Sequence, residues 1–175
     1  MLENNANSNF EALVLPHLNS AHNLARWLLR NPHDAEDVVQ DACVRAVRFF
    51  PGFRGGDPRA WLLKIVRNAC YDFSNAKRPV QDIAEIDDDF FVADARAHGP
   101  EEIALQNDLN AQVRLAIEKL PSNFREILVL RELQEMTYRE IAQITGMSAG
   151  TVMSTLSRAR EKLRKILTGL RPAPC

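Results

Sequence analysis

The sequence predicts an all-α protein made of two small helical domains joined by a flexible acidic linker, the C-terminal one a helix-turn-helix. Three observations point there. Apolar residues recur every three or four positions at both ends of the chain, and no stretch shows sustained alternation, so the period is that of helices. Residues 79–102 are acidic, weak in that periodicity and closed by Gly99-Pro100, which marks a connector. Gly146 stands between a short patterned run and a longer basic one, each opened by a hydroxyl residue suited to a cap. Aromatics make up only 7% of the 175 residues, beside 7 Gly and 9 Pro, which disfavours a β-sandwich or barrel.

In the first domain, residues 1–78, Phe10, Leu13, Val14 and Leu18, then Leu24, Trp27 and Leu28, fall on one helical face. Asn31-Pro32 ends that run, and Asp34 is placed to cap the next helix. Ala35, Val38, Val39, Ala42, Cys43, Ala46, Val47 and Phe50 form a stripe over about four turns, stopped by Pro51-Gly52. The loop FRGGDP follows, then a helix over 60–73 with Trp61, Leu62, Ile65, Val66, Ala69 and Cys70 inward. At helical spacing with Leu62 and Ile65, Trp61 reads as core rather than as an exposed stacking platform.

In the second domain, residues 103–170, Ile103, Leu109, Val113, Ala116, Ile117 and Leu120 mark an amphipathic helix. Pro121 begins another, with Ser122 a cap candidate and Ile127, Leu128, Leu130 and Leu133 buried. Thr137 caps a short helix containing Ile141, Ala142 and Ile144. Gly146 takes the left-handed turn position, where a Cβ is costly, and Ser148 caps the longer helix. Small Ala142 permits a close crossing, with Ile141, Val152 and Leu156 as the seam.

The net charge of −1 is an average over unlike blocks. Residues 82–102 hold eight acids against Arg96, a local charge of −7. Residues 42–81 carry +6 and residues 151–171 carry +5. Two basic blocks, one on a helix-turn-helix, suit a nucleic-acid partner. Within the linker, Ile83, Ile86, Phe90, Phe91 and Val92 are more apolar than a free tether needs, so this stretch either packs on a neighbour or docks on a partner.

Catalytic and metal chemistry find little support. Cys43, Cys70 and Cys175 form no CxxC pair and are too odd in number for a disulfide framework. Cys43 and Cys70 read as small buried hydrophobes. His17, His22, His33 and His98 are scattered, with no zinc spacing, and the sequence has no phosphate loop or nucleophile elbow. The expectation is a non-enzyme with no cofactor and no metal. No run of 18 apolar residues and no signal-peptide pattern are present, so a cytoplasmic setting without direct membrane insertion is expected.

Three stretches carry a family resemblance: DAEDVVQDA (34–42), FRGGDPRAWLLKIVRNACYD (53–72) and LPSNFREILVLRELQEMTYREIAQITGMSAGTVMSTLSRAREKLRK (120–165). In this order and spacing the chain resembles an extracytoplasmic-function (ECF, group 4) sigma factor of the sigma-70 family. The resemblance implies a promoter-specificity subunit that binds core RNA polymerase and directs initiation. Its implied partners are the β′ clamp helices and β flap of the polymerase, promoter DNA and an anti-sigma factor. The resemblance implies docking points for that last partner, expected on exposed apolar faces of both domains and at Ile86, Phe90 and Phe91.

Each stretch has a physical reading beside the resemblance. Asp34, Asp37, Gln40 and Asp41 give an acidic, amide-bearing helix surface suited to a protein partner found by electrostatic steering, and the resemblance names that partner as core polymerase. Reading a melted strand requires a loop that accepts a flipped base and cations for phosphates. Phe53, Arg54, Gly55 and Gly56 supply the loop, and by resemblance they form with Asn68 the pocket for a −10 base. Arg54, Arg59, Lys64 and Arg67 are the backbone-contact candidates. Ser74-Asn75-Ala76 interrupts the basic end that this helix usually has in the family.

A recognition helix presents outward N-terminal side chains to the major groove. Here these are Ser148, Thr151, Ser154, Thr155 and Arg158, with Lys162 further along, as −35 contacts. Arg158 suits a bidentate guanine or phosphate contact, and Arg160 and Arg164 suit phosphates. Met153 and Thr155 stand where the family commonly has cations, which predicts a different −35 preference. A stand-alone helix-turn-helix regulator would account for 120–165 but leave the first two stretches unexplained. A nucleic-acid enzyme would need a nucleophile or paired carboxylates on a rigid scaffold, and the chain supplies neither.

Overall fold

The structure, a computed structural model, describes residues 9–77 and 106–170. Among them every regular element is helical. A 3₁₀ turn at Leu15–His17 leads into α1 (Leu18–Leu29), followed by α2 (Pro32–Phe49), a 3₁₀ turn at Phe50–Gly52 and α3 (Pro58–Ala76). The second half holds α4 (Gln106–Glu118), α5 (Ser122–Leu128) running into a π-helical turn (Val129–Leu133), α6 (Tyr138–Thr145) and α7 (Ala149–Leu170). The acidic-linker reading and its apolar residues lie outside the described residues.

Helices α1–α3 pack as a three-helix bundle in which large and small side chains alternate. Leu24, Leu62, Leu63 and Val66 are fully buried, while Ala21, Ala25, Ala35, Ala42 and Ala46 let the backbones approach. Each buried Leu contributes about 1.5–3 kcal/mol of transfer free energy. Asn31, not Asp34, caps α2: its side-chain oxygen accepts from His33 N at 2.9 Å and Asp34 N at 3.3 Å. Pro32 at the first helical position places Asp34 inside the first turn. Asp34 instead pairs with Lys77 Nζ at 2.9 Å. Asp57 caps α3 through Arg59 N at 2.9 Å.

In the second half the expected capping box is present. Thr137 Oγ1 accepts from Glu140 N, and the Glu140 carboxylate accepts from Thr137 N at 2.6 Å. Gly146 turns the chain at φ 76°, and Ser148 Oγ accepts from Thr151 N at 3.1 Å to open α7. Ile141, Val152 and Leu156 form the seam between α6 and α7, each at most 1% exposed. Ser122 does not cap α5; it is the helix's first residue and follows Pro121, which offers no side-chain bond.

Leu133, expected in the core, is 48% exposed. The π-helical turn inserts one extra residue, so Gln134 N reaches Val129 O at 3.0 Å and Gln134 takes the buried position instead. Val47 and Val113 also leave their predicted stripes and face outward.

The two halves pack together. Apolar residues of α1–α3 and of α4–α7 belong to one continuous buried cluster, with α5 against α1 and α6 against α3. Sequence periodicity assigns residues to a buried face but does not state which element covers it, so this packing was not in the expectation.

Candidate nucleic-acid interface

The recognition-helix candidates lie where the sequence reading puts them, on the outward side of α7. Ser148, Thr151, Ser154, Arg158 and Lys162 are exposed and Thr155 is half-buried. Gly146 and the Ser148 cap fix this geometry, because Val152, Leu156 and Ala159 turn inward and leave the opposite side to solvent. The small hydroxyls are locally tied: Ser148 Oγ and Thr151 Oγ1 are 2.8 Å apart, and Ser154 Oγ donates to Thr151 O at 3.1 Å. Arg158 makes no ion pair among the described residues, so its guanidinium is open to an outside acceptor. Arg160 is held differently, with Nε 3.0 Å from Glu132 Oε1. That bond, the chief effect, raises the Arg160 pKa above its usual value.

The loop before α3 combines exposure with an aromatic base. Arg54, Gly55 and Gly56 are exposed, and both glycines have positive φ, 91° and 101°, a conformation that L side chains seldom take. Behind them Phe53 stacks on Phe50 at 5.9 Å between centroids and tilts against Trp61 at 5.2 Å. Trp61 is thus part of a packed aromatic cluster with Phe10 and Phe50. Lys64 and Asn68 are exposed on α3. Asn68 lines a cleft of about 350 Å³ with Arg45, Phe49, Ile65, Tyr71 and Asp72. Arg45 NH1 bonds Asp72 Oδ2 at 2.7 Å across that cleft, and this bond holds the guanidinium pKa up.

Arg59 and Arg67, expected as phosphate contacts, are turned inward. Arg59 Nε donates to Ser20 Oγ at 3.2 Å and Arg59 NH2 to Gln134 Oε1 at 2.8 Å. Arg67 grips Glu126 along one edge of its guanidinium, Nε on Oε1 and NH2 3.3 Å from Oε2. Tyr71 OH donates to the same oxygen at 3.0 Å. Glu126 is 1% exposed. Burial, the largest single effect, works against the charged form of Arg67, but the bond to Glu126, the Glu126 charge and Tyr71 together outweigh it, and the pKa lies above the usual value. Burial, reinforced by the Glu126 charge, also pushes the Tyr71 phenol up. In this arrangement both guanidinium groups are half-buried and have partners in the other half.

Glu126, Gln134 and Tyr71 are residues that sequence reasoning missed. One signal was available: Glu126 interrupts the apolar run FREILVL on a face otherwise buried, and a buried carboxylate requires a partner. The seam has a second pair of ties. Arg125 donates to Trp27 O at 3.4 Å and Leu120 O at 3.1 Å, and Arg30 donates to Glu118 O.

On the polymerase-facing candidate, Asp37, Gln40 and Asp41 form an exposed edge of α2, while Asp34 is half-buried beside Lys77. Asp41 also holds Arg45 Nε at 2.8 Å. The same helix exposes Val44, Val47 and Phe49, an apolar flank beside the acids. Among the described residues no group of His, Cys, Asp or Glu is arranged to hold a metal, and no helix is long and apolar enough to cross a membrane.

Comparison with known proteins meets this geometry at both ends. The family model for sigma-70 region 2 matches residues 13–79, and that for sigma-70 region 4 matches residues 110–163. The chain is 32% identical over 168 residues to the RNA polymerase sigma-H factor of Pseudomonas aeruginosa, covering 92% of this chain and 87% of the relative. It is 30% identical over 158 residues to the ECF RNA polymerase sigma factor SigE of Mycolicibacterium smegmatis, covering 90% of this chain but spanning only 61% of that relative's length. Among solved structures it is similar to the sigma factor RpoE of Bartonella quintana, crystallised with the anti-sigma factor NepR. The TM-score there is 0.74 with 30% identity, covering 93% of this chain and 99% of that one. The chain belongs to the sigma-70 family, as an RNA polymerase sigma factor of the extracytoplasmic-function type.

Proposed function

We propose that this chain joins core RNA polymerase and directs promoter-specific initiation, reading the −10 element as a single strand and the −35 element as duplex. The observation that carries the reading is the outward face of α7, where Ser148, Thr151, Ser154, Arg158 and Lys162 stand ready for a major groove. The role is non-catalytic, needs no cofactor and is set in the cytoplasm. The domain assignment behind it is 1–78 for polymerase binding and −10 recognition, 79–102 as linker and 103–170 for −35 recognition.

On the polymerase side, Asp37, Gln40 and Asp41, with Asp34 at their edge, are assigned to the β′ clamp helices, and the second domain to the β flap. On the DNA side, Phe53, Arg54, Gly55, Gly56 and Asn68 receive a flipped −10 base, with Lys64 on the strand phosphates. Arg59 and Arg67 join Lys64 only when released from Gln134 and Glu126. The solved relative captured with an anti-sigma factor supports control of this chain by a partner of that kind.

Transcription in vitro with purified core polymerase and a promoter library tests the assignment. Initiation from a defined subset of promoters is expected. No initiation from any promoter, with specific binding of duplex DNA by the chain alone, would replace it with a stand-alone regulator.

A further inference from the structure

We propose that Met153 of α7 is a specificity-determining residue for the −35 element, reading the 5-methyl group of a thymine in the major groove. The inference rests on the duplex-reading role given above to α7 and names what one position of that helix selects.

Among the described residues of α7, Met153 is the large apolar side chain left exposed, at 54%. The fold does not call for it there. Val152, Leu156 and Ala159, each at most 1% exposed, already fill the inward face. At 100° per residue Met153 stands more than a quarter of a turn round from Val152, beside exposed Ser154 and one turn before exposed Ser157. It is the fifth residue of α7 (Ala149–Leu170), near the end that a recognition helix puts into the groove.

The polar neighbours at that end are largely occupied with one another. Ser154 Oγ donates its one hydrogen to Thr151 O at 3.1 Å. Ser148 Oγ and Thr151 Oγ1 are 2.8 Å apart, so one hydroxyl hydrogen is used between them. Arg158 brings a cation, whose partners are a guanine edge or a phosphate. What the start of the helix adds to these is an unbranched, polarizable thioether. Among the four bases only thymine shows an apolar group in the major groove, its C5 methyl. An amino group of adenine or cytosine, or the guanine O6, pressed against Met153 would lose water and find no good partner, because the thioether donates nothing and accepts weakly. The position therefore favours thymine by contact and disfavours the other bases by desolvation.

The test uses holoenzyme assembled from core polymerase and the full-length chain. Duplexes with a randomised −35 region are selected for binding. Each thymine of the enriched sequence, on either strand, is then replaced by deoxyuridine, which lacks only the methyl. One position is expected where this weakens holoenzyme binding about fourfold, the transfer value of one methyl group. Met153→Ala is expected to bind the thymine duplex at least about fourfold more weakly and to ignore deoxyuridine at that position, so that the two changes do not add. Met153→Leu, which keeps an apolar side chain on a good helix former, is expected to retain the response.

An enriched sequence whose thymines can all be replaced without effect would overturn the proposal. A response to deoxyuridine that persists in Met153→Ala would overturn it too, since another side chain would then be reading the methyl. Enrichment of no −35 sequence at all would refute the duplex-reading role of α7 and take the proposal with it. Whether a sequence is enriched thus tells the two failures apart.

Discussion

Arg125 of α5 donates to the carbonyl oxygen of Trp27, near the C-terminal end of α1, at 3.4 Å. Arg30, just past that end, donates to Glu118 O at the end of α4. Each half thus caps a helix of the other with a cation, at the pole where the helix dipole is negative. Burial, and next the neighbouring charge of Arg30, bring the Arg125 pKa down to about 10, still well above neutrality. Replacing Arg125 with Ala removes its bond to Leu120 O as well and leaves buried carbonyls without a donor. The expected loss is about 2–3 kcal/mol, read as a lower urea midpoint.

The capping box gives an independent prediction with a pH signature. Thr137→Ala deletes the side-chain acceptor for Glu140 N and is expected to cost about 1 kcal/mol. Hydrogen bonds from the Thr137 side chain, and then from its backbone, hold the Glu140 carboxyl below its usual value of 4.5. A folded-state pKa below the unfolded one contributes stability that is present above about 4.5 and is lost as pH falls through the depressed value. Thermal melts from pH 7 to 3 are therefore expected to fall less steeply in Thr137→Ala than in the parent chain.

The thiols supply a probe of integrity. Burial raises the Cys70 pKa to about 12 and moves that of half-buried Cys43 upward. At pH 8 the thiolate fraction at Cys70 is on the order of one in ten thousand. Both cysteines are expected to resist iodoacetamide in the folded protein and to react on adding urea, read site by site after proteolysis by mass spectrometry.

Asn68 separates reading from assembly. It is exposed at a cleft lined by Phe49, Ile65 and Tyr71, so its loss leaves the core untouched. Asn68→Ala is expected to lower open-complex formation on a cognate promoter at least about tenfold, the range of a lost base contact. Affinity for core polymerase is expected to stay unchanged. Permanganate footprinting reads the first and fluorescence anisotropy the second.

Much of the fold was legible from periodicity and punctuation. The Thr137–Glu140 box, Gly146 and the Ser148 cap are local devices whose residues stand within three or four positions of their partners. The seam was not legible in this way. Arg67 and Glu126 are 59 positions apart, and Arg59 and Gln134 are 75. Nothing local distinguishes a guanidinium that faces water from one that faces a carboxylate folded in from elsewhere. The α2 cap failed for a smaller reason: Asn31 and Asp34 both suit a cap, and Pro32 decided between them by preferring the first helical position. Leu133 failed because a one-residue insertion in the hydrogen-bond ladder leaves no mark in an apolar pattern.

That insertion also fixes the phase of everything downstream. An α-helix advances 100° per residue, so one surplus residue between Val129 and Leu133 rotates the remaining chain by more than a quarter of a turn. Deleting a single residue there would restore a regular ladder with every hydrogen bond made. It would also swing Gln134 away from Arg59 and re-aim α6, and with it α7. The turn works as a protractor: the count of residues in one irregular turn, together with the packing of α7 on α4, α5 and α6 and the Arg160–Glu132 bond, sets the angle at which the second half presents Arg158 to the outside.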